Sequence, residues 1–141
     1  MKKGNRSGTL FLLEMIFTIL FFSIAAAVCV TVFAKAHTIS ADAQKLSHAA
    51  AEVSNACEAI STAGSAEEAE ARLGMLHSFS GGEALLDGNY RDTADPDAPY
   101  ILGYDLQEED GMLKAYIYMK DKGTEDEIFA QETVVHIRRQ R

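Results

Sequence analysis

The stretch TLFLLEMIFTILFFSIAAAVCVTVFA, residues 9–34, runs for 26 residues with a single formal charge, Glu14. An α-helix of that length spans about 39 Å, more than the roughly 30 Å hydrocarbon core of a bilayer. It also exceeds the roughly 7–15 apolar residues of a secretory signal. The run therefore reads as a transmembrane helix. Lys2, Lys3 and Arg6 precede it, and Lys35 alone follows closely. The positive-inside rule then puts the N-terminus in the cytoplasm and most of the chain on the far side. Ala34-Lys35-Ala36 has the small-x-small form of a signal peptidase site, which leaves a secreted product as an alternative. Ala26-Ala27-Val28-Cys29 is a poor lipoprotein site, because Val28 is unsuitable before the cysteine and Cys29 lies mid-run.

Helical character continues past Ala34. Residues 36–61 contain no glycine or proline and are rich in alanine. Ile39, Ala43, Leu46, Ala50, Val53, Cys57 and Ile60 recur at alternating spacings of four and three. That is a narrow apolar stripe with helical period. It serves either as a coiled-coil seam or as the face on which the chain's own sheet packs. Small residues at alternate positions make a weak zipper but let a sheet lie close, so packing on its own sheet is expected. Lys45, His48, Glu52 and Glu58 fall off the stripe and read as surface. Cys57, on it, reads as a small buried apolar residue. Cys29 and Cys57 would stand about 42 Å apart along one helix, against about 7 Å for a disulfide, so no internal bridge is expected. Gly64 is the stop signal.

Residues 65–73 read as a second, short helix, with Ser65 and Glu68 forming a capping box and Gly74 at or just past its end. Gly81-Gly82 opens an irregular region. A short strand over 83–86 and a turn at Asp87-Gly88-Asn89 follow, then a loop over 92–99. Three strands are expected at 100–106, 112–120 and 127–137, the first two joined by a hairpin turn at Asp110-Gly111. In the middle one Leu113, Ala115, Ile117 and Met119 point one way, and Lys114, Tyr116, Tyr118 and Lys120 the other. Short connections imply an antiparallel meander. The expected fold class is α+β: a long N-terminal helix, membrane-spanning in its first half and amphipathic in its second, packed on a small three- to four-stranded antiparallel sheet. The expected segments are a basic leader (1–8), a transmembrane helix (9–34), its amphipathic extension (35–62) and a globular head (63–141).

The net charge is -8, with basic residues at both ends: Lys2, Lys3 and Arg6, and Arg138, Arg139 and Arg141. An acidic body repels phosphates, so no nucleic-acid partner is expected, and the basic C-terminus reads as a solvated tail. His37, His48, His77 and His136 have no metal-ligand spacing. Asp92, Asp95 and Asp97 lack the order of a calcium loop. Neither a phosphate-binding glycine loop nor a serine elbow is present. No catalytic residue, metal or cofactor is expected. Glu67-Glu68 and Glu108-Glu109 read as solvated surface or turn residues, and Tyr116 with Tyr118 as either a binding patch or ordinary exposed tyrosines.

Lys2-Lys3-Gly4-Asn5-Arg6-Ser7-Gly8 is a basic leader ending in glycine, followed by Thr9-Leu10-Phe11-Leu12-Leu13-Glu14-Met15-Ile16. This resembles the N-terminal signature of bacterial type IV prepilins and of the pseudopilins of type II secretion and competence systems. The resemblance implies cleavage after Gly8 by a prepilin peptidase, with Thr9 as the new and usually N-methylated terminus. It implies that Glu14 sets the register of assembly by pairing with the free α-amino group of a neighbouring subunit. The partners implied are membrane lipid, neighbouring pilin-like subunits, the peptidase and the assembly machinery. The chain departs from the pattern twice: Glu14 would be the sixth mature residue instead of the fifth, and Thr9 replaces the usual phenylalanine or methionine. The expected function is a structural subunit, minor or accessory, of a pilus-like or pseudopilus filament. The alternative is an unprocessed single-pass membrane protein with an outward binding or sensing domain.

Overall fold

A computed structural model describes residues 5–137; Lys2, Lys3, Arg138, Arg139 and Arg141, the charges expected at the two ends, lie outside the described residues. One helix, α1 (Asn5–Ser61), takes 57 residues without a break. It forms where glycine is rare and proline absent, and it ends just ahead of Gly64. The chain divides into two compact units, the second beginning at Ala43.

Within the first unit the described residues are all helical, and those from Arg6 to Asp42 are all exposed. Every Leu, Ile, Val, Phe and Met side chain from Leu10 to Phe33 is between 50% and 75% exposed. A helix that is apolar around its whole circumference suits an apolar surrounding. Its most apolar window has a mean hydropathy of 2.6, and it is the one helix among the described residues long and apolar enough to cross a membrane.

The second unit holds the end of α1, the helix α2 (Ala66–Leu76) and four strands: β1 (Glu83–Leu86), β2 (Tyr100–Glu109), β3 (Met112–Asp121) and β4 (Glu127–His136). The strands pair in sequence order β1-β2-β3-β4, every pair antiparallel. The fold is thus α+β, a long N-terminal helix packed on a four-stranded antiparallel sheet. In β3 Leu113, Ala115, Ile117 and Met119 are buried while Tyr116 is exposed, the alternation that a half-buried strand requires. The core joins these residues to Leu86 and Leu102, to Leu73 of α2, and to Ala49, Val53, Ala56, Cys57 and Ile60 of α1.

The apolar stripe of α1 divides in two. Val53, Cys57 and Ile60 are buried, whereas Ile39 is 66% and Leu46 48% exposed. Packing on the chain's own sheet therefore accounts for the upper part of the stripe only. Lys45 pairs with Asp121, the last residue of β3, at 3.3 Å, so the sheet's end already lies level with Lys45. Ala49 and Ala56 were off the narrow stripe and are nonetheless fully buried, because a sheet covers a wider arc of a helix than a zipper does.

Gly74 does not end α2, which runs on to Leu76. The His77 N–H caps the Leu73 carbonyl at 3.1 Å, and Leu73 is wholly buried. That anchor outweighs the roughly 1 kcal/mol cost of one helical glycine. Ser65 caps the other end by accepting the Glu68 N–H at 3.1 Å, but Glu68 reaches back to the N–H of Gly64 instead of that of Ser65. Strand β2 runs further than expected, to Glu109, because the Asp110-Gly111 turn (φ 53° and 76°) carries the ladder to the very end of the hairpin, and β3 runs one residue further at the opposite end, where Asp121 pairs with Tyr100. Strand β4 stops at His136, one residue short of expectation.

Candidate functional site

Two places in the chain invite a functional reading, one in each unit. In the first unit Glu14 is exposed among Phe11, Met15, Thr18 and Ile19, which line a shallow hollow on the helix surface with it. The hydroxyls nearby are already satisfied within the helix. Thr18 donates to the Glu14 carbonyl at 2.9 Å, Ser23 to Ile19 at 2.8 Å and Thr31 to Val28 at 2.7 Å. Local bonds of this kind let hydroxyls enter lipid without an unpaired donor. The carboxylate side chain of Glu14 has no cation within ion-pair distance among the described residues. A charge at membrane depth costs a few kcal/mol unless something pairs with it. Gly8 and Thr9 both lie inside α1, where Gly8 is the residue that holds helix least well. Cys29 is an exposed free thiol on the same segment.

In the second unit the outer face of the sheet carries the two tyrosines singled out in the sequence. Tyr118 stands opposite Gly103, and its hydroxyl donates to Glu83 Oε1 at 3.1 Å. The ring therefore crosses β2 to reach β1. A Cβ on Gly103 would fall 2.3 Å from Tyr118 Cζ, so glycine there is what lets the ring lie across the strand. The Lys120 ammonium sits 4.4 Å from the centre of the same ring. Tyr116 donates to Glu127 at 2.8 Å. Burial raises the Tyr118 phenol above its ordinary range, assisted by its bond to Glu83. The two rings are thus held in place by the fold's own residues.

Glu68 and Glu109, read as solvated surface or turn residues, are exposed and also bonded within the head. Glu68 accepts from Gly64 and from Arg72, and these bonds, the backbone one first, hold its carboxyl below the usual range. Arg72 also donates to the Thr62 hydroxyl. Glu109 pairs with Lys114 at 3.0 Å. Asp95 accepts the Asp97 N–H at 2.9 Å, and Asp87 accepts those of Asn89 and Arg91, so the acids of this region close turns. Cys57 is buried, and desolvation raises its thiol, as befits a core residue.

His48 is exposed, as expected off the stripe, yet it stacks on Tyr90 with centroids 4.5 Å apart, and Tyr90 stacks on Tyr100 at 4.8 Å. Burial, then the bond to Tyr100, pushes the Tyr90 phenol up to about 12. Sequence reasoning missed this stack, and it missed His77, whose ring lies between Glu52 and Asp92. The residues in each case are distant in sequence and carry no spacing signal.

The class these features define is an α+β protein with one fully exposed apolar helical segment. No family model, no curated protein and no solved structure matches the chain.

Proposed function

We propose that the chain is a structural subunit of a type IV pilus-like or pseudopilus filament, inserted in a membrane before assembly. The observation that carries the reading is a lone carboxylate, Glu14, on a helical segment whose large apolar residues are all at least half exposed. Lipid can cover the apolar groups, but a carboxylate in that setting calls for a cation. A second copy of the chain offers one, the α-amino group freed by cleavage next to Thr9. One buried polar pair at a fixed height would then set the register between neighbouring helices, as a single buried polar residue does in a coiled coil. The head domain contributes structure and surface in this reading, and no chemistry.

Intact mass and N-terminal peptide mapping of the protein from its native membrane test the proposal. A chain beginning at Thr9 or Leu10, with or without a methyl group, is the expected result. A chain retaining Met1 or lacking its first 36 residues overturns it, the former in favour of an anchored domain. Glu14→Ala should keep membrane insertion and abolish filament incorporation; undiminished incorporation would remove Glu14 from the register role.

A further inference from the structure

The His77 side chain is only 12% exposed, just past the end of α2. Its Nδ1 lies 2.7 Å from Asp92 Oδ1, and its Nε2 lies 3.1 Å from Glu52 Oε2 on α1. Asp92 is itself held, because its Oδ2 accepts the backbone N–H of Ser78 at 2.9 Å. Phe79 stands edge-on to the imidazole, with Tyr104 of β2 edge-on behind it. The titratable groups around the ring are Glu52 and, one turn away, His48 from α1, and Asp92 and Tyr90 from the segment between β1 and β2. Behind Phe79 is Tyr104 from β2.

Both ring nitrogens therefore face carboxylate oxygens, and an ionised carboxylate only accepts. An imidazole with one proton donates to one of them and turns a lone pair on the other. Only the doubly protonated ring satisfies both. Histidine is the side chain whose proton count ordinarily changes between about pH 5 and 8.

We propose that His77 is a proton-dependent clasp that fastens the segment between α2 and β2 to α1. The clasp is complete while the ring carries two protons and both carboxylates are ionised. It loses one bond as the pH rises and the ring gives up a proton. The longer contact, to Glu52, is the one released. His77 and Asp92 then stay joined to each other while their tie to α1 at Glu52 opens, and Leu86 in the core and the stack of Tyr90 on His48 keep the rest of the segment on α1. This device is independent of filament assembly, since all three residues belong to one chain.

Hydrogen exchange of the full chain in detergent micelles tests it, read at pH 5.5 and pH 8 and corrected for intrinsic rates. The amides of Ser78, Tyr90, Arg91 and Thr93 should lose about tenfold in protection relative to those of β3 across that interval. The Glu52→Gln amide donates as well as accepts, so it can meet either form of Nε2. That variant should show constant protection. His77→Gln should be equally flat, while His48→Gln should behave as wild type. Constant protection in the wild type overturns the clasp. So does a pH response that survives in Glu52→Gln or disappears in His48→Gln. If His77→Gln fails to fold, the Glu52→Gln result and the ring ¹⁵N shifts of His77 decide. Those shifts must show the ring losing a proton where the protection falls.

Discussion

Replacing Gly103 with alanine should change sign in its effect according to what stands at position 118. The added Cβ would lie 2.3 Å from Cζ, 2.4 Å from the hydroxyl oxygen and 2.6 Å from Cε2 of Tyr118, all far inside van der Waals contact. These atoms are at the end of a rotatable side chain, so the ring swings off β2 and the backbone stays. The swing breaks the bond to Glu83, about 1 kcal/mol, and gives up the ring's seat across the strand, for an overpacking cost of about 1–3 kcal/mol in total. Against this, alanine in a strand interior regains roughly 0.5–1 kcal/mol over glycine. The net is a loss of about 1 kcal/mol, or roughly 4–8 °C in Tm for a domain of this size. In a Tyr118→Ala background the obstacle is gone, and Gly103→Ala should stabilise by about 0.5–1 kcal/mol. The assay uses the full chain in micelles with Cys29→Ser, so that the thiol of Cys57, 5% exposed, reports unfolding by its reactivity during a thermal ramp. Equal destabilisation in both backgrounds would refute the placement of the ring over Gly103.

Leu73→Ala should cost about 2–5 kcal/mol, because the side chain is wholly buried and anchors α2 in the core. Leu76→Ala, 43% exposed, should cost under about 0.5 kcal/mol when the two variants are compared by denaturant titration. Asp87 is held below the usual carboxylate range by the backbone N–H groups of Arg91 and Asn89. The stability it contributes is present above the unfolded value, about 3.9, and is lost as the pH falls through the lower folded one. Asp87→Asn keeps the acceptor oxygen without the charge, so its Tm should fall less steeply than the wild type's below about pH 4.

Much of the head was legible because its signals are local. The alternation in β3, the Asp110-Gly111 turn and the cap at Ser65 each depend on residues within a few positions of one another, and each is found in place. Glu14 is likewise visible in the sequence as one charge in a long apolar run. The stripe on α1 was only half interpretable. Ile39 and Leu46 share the helical period of Val53 and Ile60, and nothing in that period says where the sheet ends. The end of α2 was misplaced because Gly74 carries a local stop signal, while burial of Leu73 and the His77 cap settle the matter from further along.

The sequence by itself determined that this chain has a helix able to cross a membrane, that a second apolar face follows on the same helix, and that an antiparallel meander follows that. These are consequences of periodicity and turn chemistry, which act over one or two turns of chain. Only the tertiary structure decided that Gly103 lies beneath Tyr118, that His48 stacks on Tyr90, and that His77 joins Glu52 to Asp92. Such contacts join residues 15 to 42 positions apart. Their geometry follows from how the sheet and helices pack, and packing is a property of the whole core.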